Sequence, residues 1–322
     1  MIVVWRITQC CNLTCPFCAY DRRTSWPRRE ADALIIRRFG AVLAEYQRVT
    51  GDRVLVSWIG GEPFLFPSLP ELTVLFAKEL GLSISATTNG TTLGSASVRK
   101  HILAHYTELT ISLDGIGRAH DRLRGWHGGY NVLREAVVEL ADRKRKEQCG
   151  PRLRANVVLM RETISDFERL CLELASWGIE EITFNQLGGR DRPEFFPAHR
   201  LLPENAVWLS NEIPRLRTRL AGLGVLLNGG NSYLVRIQAS SRDENIPVMN
   251  CGPGEQSLFI SEEAIASPCN FTTQGYGVSL EELDCAEALL HLPKRFAQLQ
   301  REQHLAPCQD CHSTHVFAKF AA

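Results

Sequence analysis

Net charge is the first thing this 322-residue chain lacks: 36 lysines and arginines are balanced by 36 aspartates and glutamates. A chain with no basic excess has no electrostatic footprint for a phosphate backbone, so nucleic-acid binding is not expected. Long apolar runs are missing too. Nothing approaches the roughly 18 residues that a membrane span needs. The opening Met1-Ile2-Val3-Val4-Trp5 is too short for the apolar core of an export signal before Arg6 interrupts it. No internal repeat or low-complexity tract occurs. The sequence therefore reads as a cytoplasmic protein without a membrane partner. With 44% hydrophobic and 22% charged residues it has the composition of a folded globular chain. At about 150 residues per domain, its length suits two domains.

Cysteine is what the chain has in quantity: 11 residues, an odd number. A chain of this size builds an adequate core without staples, and a reducing compartment would not keep disulfides. The cysteines are also clustered. Cys10, Cys11, Cys15 and Cys18 lie at the start, and Cys251, Cys269, Cys285, Cys308 and Cys311 near the end, with only Cys149 and Cys171 between. Clustered cysteines in such a chain point to metal sites.

Six short apolar, β-branched runs alternate with helical patterns through the first 200 residues, followed by a weaker run over 225–227. This pattern predicts repeated βα units around a parallel sheet, an α/β fold in the form of a partial (β/α)6 TIM-like barrel. In such folds the site lies at the carboxyl ends of the strands. There the sequence places the cysteine loop, Gly60-Gly61-Glu62-Pro63, Thr88-Asn89-Gly90, Ser112-Leu113-Asp114-Gly115 and Asn185-Gln186. From about Gly229 the alternation stops, and Gly, Pro, Ser and Cys become more frequent, with one clear helix over 280–300 kinked at Pro293. The expected division is 1–228 for the barrel and 229–322 for a smaller α+β domain.

Cys11-Asn12-Leu13-Thr14-Cys15-Pro16-Phe17-Cys18 is a C-x3-C-x2-C loop. Three thiolates this close suit three corners of a cubane iron–sulfur cluster, with no fourth ligand at matching spacing. The fourth iron is then open, as a position is at catalytic metal sites. Zinc is the competing reading. It prefers four closed ligands, and Cys10 is poorly placed to be one, since adjacent cysteines rarely chelate one ion.

With Gly60-Gly61-Glu62-Pro63 after the second strand, this loop resembles the radical S-adenosylmethionine (SAM) superfamily, over roughly residues 2–190. The resemblance implies a [4Fe-4S] cluster on Cys11, Cys15 and Cys18, its open iron chelated by the amino and carboxylate groups of SAM. It implies that Gly60, Gly61, Glu62 and Pro63 bind the amino group, and that Phe17 lies along the adenine. Thr88 and Ser112 match polar residues ending the third and fourth strands, Ser112 as a SAM contact. Arg124, within His120-Asp121-Arg122-Leu123-Arg124, is implied as the partner of the SAM carboxylate, and Leu159 as a contact to adenine. Asn89-Gly90 reads equally as a turn, and His120 and Asp121 as caps of the following segment.

The tail resembles the SPASM/twitch extension. Cys251 and Cys269 enclose a hairpin-like stretch, and Cys308-Gln309-Asp310-Cys311 is a C-x2-C pair followed only by His312 and His315. The shorter, twitch version is the better match, which implies one auxiliary [4Fe-4S] cluster on Cys251, Cys269, Cys308 and Cys311. Ala264 stands where the hairpin usually has glycine. A structural zinc is the plain alternative.

The chemistry implied is reductive cleavage of SAM to a 5′-deoxyadenosyl radical, which takes hydrogen from an unactivated carbon. The auxiliary cluster would accept or relay an electron, giving an oxidoreductase. An external donor of flavodoxin or ferredoxin type is implied. The favoured substrate is a peptide undergoing maturation. Since the first strand begins at residue 2, a separate peptide-carrier protein is expected rather than a fused one. The alternative is a dehydrogenase of a small molecule such as an amino sugar or cyclitol. A non-catalytic electron-transfer protein is disfavoured, since it needs neither Gly60–Pro63 nor Arg124. No catalytic acid or base is assigned; Asp191, Asp243, Glu244 and Tyr233 are candidates by location alone.

Overall fold

The computed structural model of the chain describes residues 1–189, 191–314, 316, 317 and 319. Its first strand, β1 (Ile2–Thr8), alternates faces: Val3, Trp5 and Ile7 are buried, while Val4 and Arg6 are half-buried on the other side. Period-two alternation of this kind gives a strand one apolar and one partly polar face. Six parallel strands follow: β2 (Leu55–Gly60), β3 (Ser83–Thr88), β4 (Glu108–Ser112), β5 (Arg152–Leu159), β6 (Glu181–Gln186) and β7 (Leu226–Leu227). Helices connect them, chiefly Ala33–Thr50, Ala96–His105, Gly129–Glu147, Phe167–Ser176 and Pro203–Ala221. The mixed α/β fold with a parallel, barrel-like sheet is as the alternation predicts.

The helix-facing side of the sheet is the core. On β5, Leu153, Ala155, Val157 and Leu159 are all at most 1% exposed. The opposite face is polar and satisfies itself. Arg154 bridges Glu108 at 2.8 Å and Glu181 at 2.6 Å, and Asn156 Oδ1 accepts from Thr183 Oγ1 at 3.0 Å and Asn185 Nδ2 at 3.1 Å. Buried charges are tolerated only when paired in this way.

The tail continues the same sheet. β8 (Ser257–Ile260) runs parallel to β1, and β9 (Ile265–Ser267) and β10 (Val278–Ser279) add antiparallel, giving the order β10-β9-β8-β1-β2-β3-β4-β5-β6-β7. Cys251 and Cys269, which flank β8 and β9 in the chain, are thereby tied to the strand that leads into the first cysteine loop.

Three details differ from the sequence reading. Helix Asn231–Ser241 lies where only irregular chain was expected; its apolar stripe is the short set Tyr233, Leu234 and Ile237 among polar residues. The expected helix over 280–300 is a 3-10 turn, Leu280–Glu282, followed by Ala286–Glu302, so Cys285 is the helix N-cap and not an interior residue. The helical pattern between β2 and β3 is α-helical only at Leu69–Val74, then widens to a π-helical turn at Leu75–Glu79 that carries Phe76 against Trp58. Ala264 takes φ +59°, so the hairpin does place a residue in the left-handed conformation that glycine favours.

Candidate active site

Gly60 and Gly61 serve the cysteine loop before they serve any ligand. Gly61 N donates to the Thr8 carbonyl and Glu62 N to the Cys10 carbonyl, each at 2.8 Å. A Cβ on either glycine would lie 2.1 Å from one of those oxygens, so no side chain fits. The close approach locks β2 to the chain that carries Cys11.

Glu62 is fully buried. Its carboxylate accepts from Thr88 Oγ1 at 2.7 Å, the Asn89 amide at 2.7 Å and the Phe64 amide at 3.2 Å. Burial nonetheless pushes its pKa up to about 7, because desolvation outweighs those bonds. Three donors leave little acceptor capacity on a carboxylate. Asn89 is both a turn and a contact. Its Oδ1 accepts from Thr91 N at 2.9 Å, while its Nδ2 donates to Asn12 Oδ1 at 3.0 Å and lies 3.7 Å from Cys11 Sγ.

The three loop thiols lie close enough for Cys11 to act on Cys15, and both on Cys18, through charge. Burial, with each other's charge, raises Cys15 to about 11 and Cys18 to about 12, and burial also raises Cys11. Without a metal these are protonated thiols; a coordinated iron would deprotonate them. Arg124 opposes the rise in all three. Its carbonyl accepts from Thr14 N at 3.3 Å, its guanidinium pairs with buried Asp114 at 2.6 Å and lies 5.5 Å from the centre of the Phe17 ring. Arg124 Nε is buried and makes no hydrogen bond. An orphaned donor beside the cluster loop suits a ligand carboxylate, so the residues present fit SAM. Asp114, given no role from sequence, holds that guanidinium in place, and its Oδ1 accepts from Val158 N at 2.8 Å. His120 Nδ1 accepts from Asp114 N at 3.4 Å, and burial drives its pKa down to about 3, so the ring is neutral. Asp121 caps the next helix through the Gly128 and Tyr130 amides, both at 2.8 Å.

Phe17 borders an apolar patch of Leu123, Val158, Met160, Leu187, Phe195 and Phe196. Leu159 is absent from it, which corrects the expectation of an adenine contact through that side chain. Strand parity turns Leu159 into the helix-facing core and Val158 toward the site. Ser112, half-buried, pairs in register with Asn156 across β4 and β5. Lys319 also reaches this face, donating from Nζ to Asn156 Oδ1 at 3.1 Å; burial lowers its pKa to about 7.

In the tail, Cys251, Cys269, Cys308 and Cys311 together line a small cavity of 50 Å³, with Pro253, Tyr276 and Pro307 among its walls. Burial and mutual repulsion raise Cys251 and bring Cys311 to about 11. Among the described residues no group of His, Cys, Asp and Glu side chains is arranged to hold a metal ion. Four thiols on one cavity could serve a single zinc at about 2.3 Å from each sulfur or a four-iron cluster with one thiolate at each corner. Cys171 packs in the core and Cys149 is exposed. His312 bonds Asp310 at 3.0 Å, and His315 lies outside the described residues.

A cavity of 640 Å³ is lined by Arg6, Tyr20, Ile59 and Gly60 from the first strands and by Phe259, Cys269 and Thr314 from the tail. A neighbouring cavity of 480 Å³ shares Asp191, Asn270, Phe271 and His312 with it. Of the residues considered as a base, Asp191 lines both. Asp243 and Glu244 line the second, paired with Arg200 and Arg242, and Tyr233 is buried with its hydroxyl 3.4 Å from Asn185 Oδ1. Glu262, which sequence reading missed, is buried at the hairpin and accepts from Arg6 and Gln9 of the β1 segment.

Comparison with known proteins agrees with this geometry. Fe-coproporphyrin III synthase of Methanosarcina barkeri is 30% identical over 131 residues, 41% of this chain and 31% of its own length. Mycofactocin maturase MftC of Mycobacterium tuberculosis is 28% identical over 140 residues, 43% and 34% of the two chains. The matched stretch thus spans less than half of these curated relatives. Streptococcus suis SuiB bound to S-adenosylmethionine superposes with a TM-score of 0.68, and bound to precursor peptide SuiA with 0.69. Both SuiB structures cover 98% of this chain, and 71% and 70% of SuiB, at 15% identity, a likeness of fold. No described helix is long and apolar enough to cross a membrane. The sequence profile of the radical SAM superfamily matches residues 5–174, more than half of the chain. That stretch takes in the cysteine loop, Gly60–Pro63 and Arg124 alike, and the chain belongs to the radical SAM superfamily.

Proposed function

We propose that this radical SAM enzyme oxidatively modifies a peptide substrate held between a SAM-binding [4Fe-4S] cluster and an auxiliary one. Cys11, Cys15 and Cys18 would hold the first, and Cys251, Cys269, Cys308 and Cys311 the second. Residues 1–228 then serve as the barrel and 229–322 as a twitch-type extension. When bound, the cluster and SAM supply a carbon-centred radical that takes hydrogen from the substrate. The chain's own residues position and shield. Arg124, steadied by Asp114, offers Nε to the SAM carboxylate; the backbone of Gly60–Pro63 meets the amino group; Ser112 contacts the nucleoside; Phe17 and Val158 keep water from the adenine side. Holding the target carbon at short range is what such chemistry needs from the protein. The auxiliary cluster, saturated by four thiolates, is left to accept or relay an electron, with an external one-electron donor serving the first.

The observation that carries this reading is the 640 Å³ cavity that Gly60 of the first site and Cys269 of the tail both line. Its continuation past Asp191 and Asn270 makes a trough suited to an extended chain. The likeness to the mycofactocin maturase MftC and to SuiB bound to precursor peptide SuiA supports the same choice. The first cavity alone is of small-molecule size, which keeps a dehydrogenase of an amino sugar or cyclitol as the second reading. Given SAM, a strong reductant and any short precursor peptide found encoded beside its gene, with a carrier protein if one is encoded there, the reconstituted enzyme should return that peptide lighter by two hydrogens. Oxidation of a free sugar or cyclitol with no change in the peptide would transfer the function to the second reading.

A further inference from the structure

The chain has no net charge, yet Arg22, Arg23, Arg28 and Arg29 fall within eight positions directly after the first cysteine loop. Asp21 is the one acid among residues 19–29, and it is turned inward, buried and paired with Arg23 at 2.6 Å and Arg192 at 3.1 Å. Arg22, Arg23 and Arg29 are exposed. Glu263 meets Arg29 at one edge, and Arg22 pairs with no carboxylate among the described residues. At the centre stands Trp26, 38% exposed, with the Arg28 guanidinium 3.9 Å from its ring centre. Arg28 is fixed in turn by the Ala19 carbonyl at 3.2 Å.

This patch is wired to the cysteine loop twice. Arg23 Nη2 donates to the Thr14 carbonyl at 3.0 Å, beside Cys15. The Trp26 and Tyr20 rings lie 6.2 Å apart, and the Tyr20 amide donates to Cys18 Sγ at 3.4 Å. Ala19 and Tyr20 line the 640 Å³ cavity, but none of residues 22–29 does. The arginines thus lie outside that cavity.

We propose that residues 22–29 are the docking surface for an acidic one-electron carrier protein, with Trp26 and Tyr20 marking the shortest way in to Cys18. The inference rests on those thiols holding a cluster. Complementary charge speeds such encounters more than it tightens them, and redox encounters use small interfaces that one loop can supply. The step itself makes and breaks no bond: the carrier loses one electron and the cluster gains one.

Stopped-flow reduction of the reconstituted enzyme tests this, with an acidic flavodoxin hydroquinone in one arm and dithionite in the other. Arg22→Glu should slow reduction by flavodoxin about tenfold at low salt and flatten its salt dependence. Trp26→Ala should slow it as well. Dithionite rates should stay at wild-type values in both variants. Equal slowing with both reductants, or none with either, would overturn the proposal. So would an Arg22→Glu variant that loses affinity for the precursor peptide while keeping its flavodoxin rate. Titrating oxidised flavodoxin onto cluster-free chain reads the same surface independently, and Arg22→Glu should weaken that binding. A chain that takes up no iron would refute the cluster reading and leave this binding result standing.

Discussion

Three thiols on one loop and four gathered from three segments far apart in the chain make two different pockets beside the same sheet. Cys11, Cys15 and Cys18 lie beside a buried cation, Arg124, whose Nε has no partner, and beside Glu62, locked by Thr88 and Asn89. Around Cys251, Cys269, Cys308 and Cys311 the neighbours are neutral: Gln300 3.9 Å from Cys251 Sγ, Thr272 3.5 Å from Cys269 Sγ, and the Ser313 amide 3.4 Å from Cys311 Sγ. On the proposed reading the first pocket is short of one ligand and holds a spare donor for an anion, and the second closes on itself. Sulfur count alone does not separate an open site from a saturated one; the charged neighbours do.

Loss of a single ligand should break the comparison most sharply. Cys15→Ala should reduce SAM cleavage to background, measured as 5′-deoxyadenosine, whereas Cys308→Ala should keep some cleavage and lose product. Full turnover by the Cys308 variant would leave the second pocket without a catalytic part. Next comes the donor. Arg124→Met should weaken SAM binding by about 2 kcal/mol, roughly thirtyfold in equilibrium dialysis, as expected for a charged hydrogen bond. Pairing it with Asp114→Asn keeps Asp114 from being left as an unpaired buried charge. Unchanged affinity would remove Arg124 from the SAM site.

A smaller effect concerns pH. Glu62 has a folded pKa raised from 4.5 to about 7, so its stabilising contribution is complete below about 4.5 and is lost as pH rises through 7. Urea unfolding of the cluster-free chain should show wild type losing stability from pH 6 to 8 relative to Glu62→Gln; parallel curves would contradict this. The smallest effect lies in the hairpin of the tail. Ala264→Gly should add about 0.5–1 kcal/mol by relieving a left-handed alanine, without altering iron content. A loss of stability would show that Ala264 is not strained.

Much of the first pocket was legible because βα periodicity locates strand ends, and the chemistry-bearing residues fall there. Parity was the weak point: a strand read by its ends leaves the facing of each residue open by one position, which is how Leu159 stood in for Val158. Asp114 was visible but had no reason to be assigned, since its partner lies ten residues on and around a turn. The union of β8 with β1 is a pairing across some 250 residues, and no local pattern encodes it. Helix Asn231–Ser241 was hidden by its polar surface. The tail cysteines could be grouped by resemblance, but their shared cavity follows only from the tertiary fold.

The open-versus-closed distinction is tested most directly by EPR of each cluster alone, with and without SAM. In Cys308→Ala/Cys311→Ala protein, where only the loop cluster remains, SAM should shift the spectrum of the reduced cluster. In protein lacking Cys11, Cys15 and Cys18, the tail cluster should give a signal that SAM leaves unchanged. A SAM-dependent shift in the second protein, or none in the first, would contradict the account.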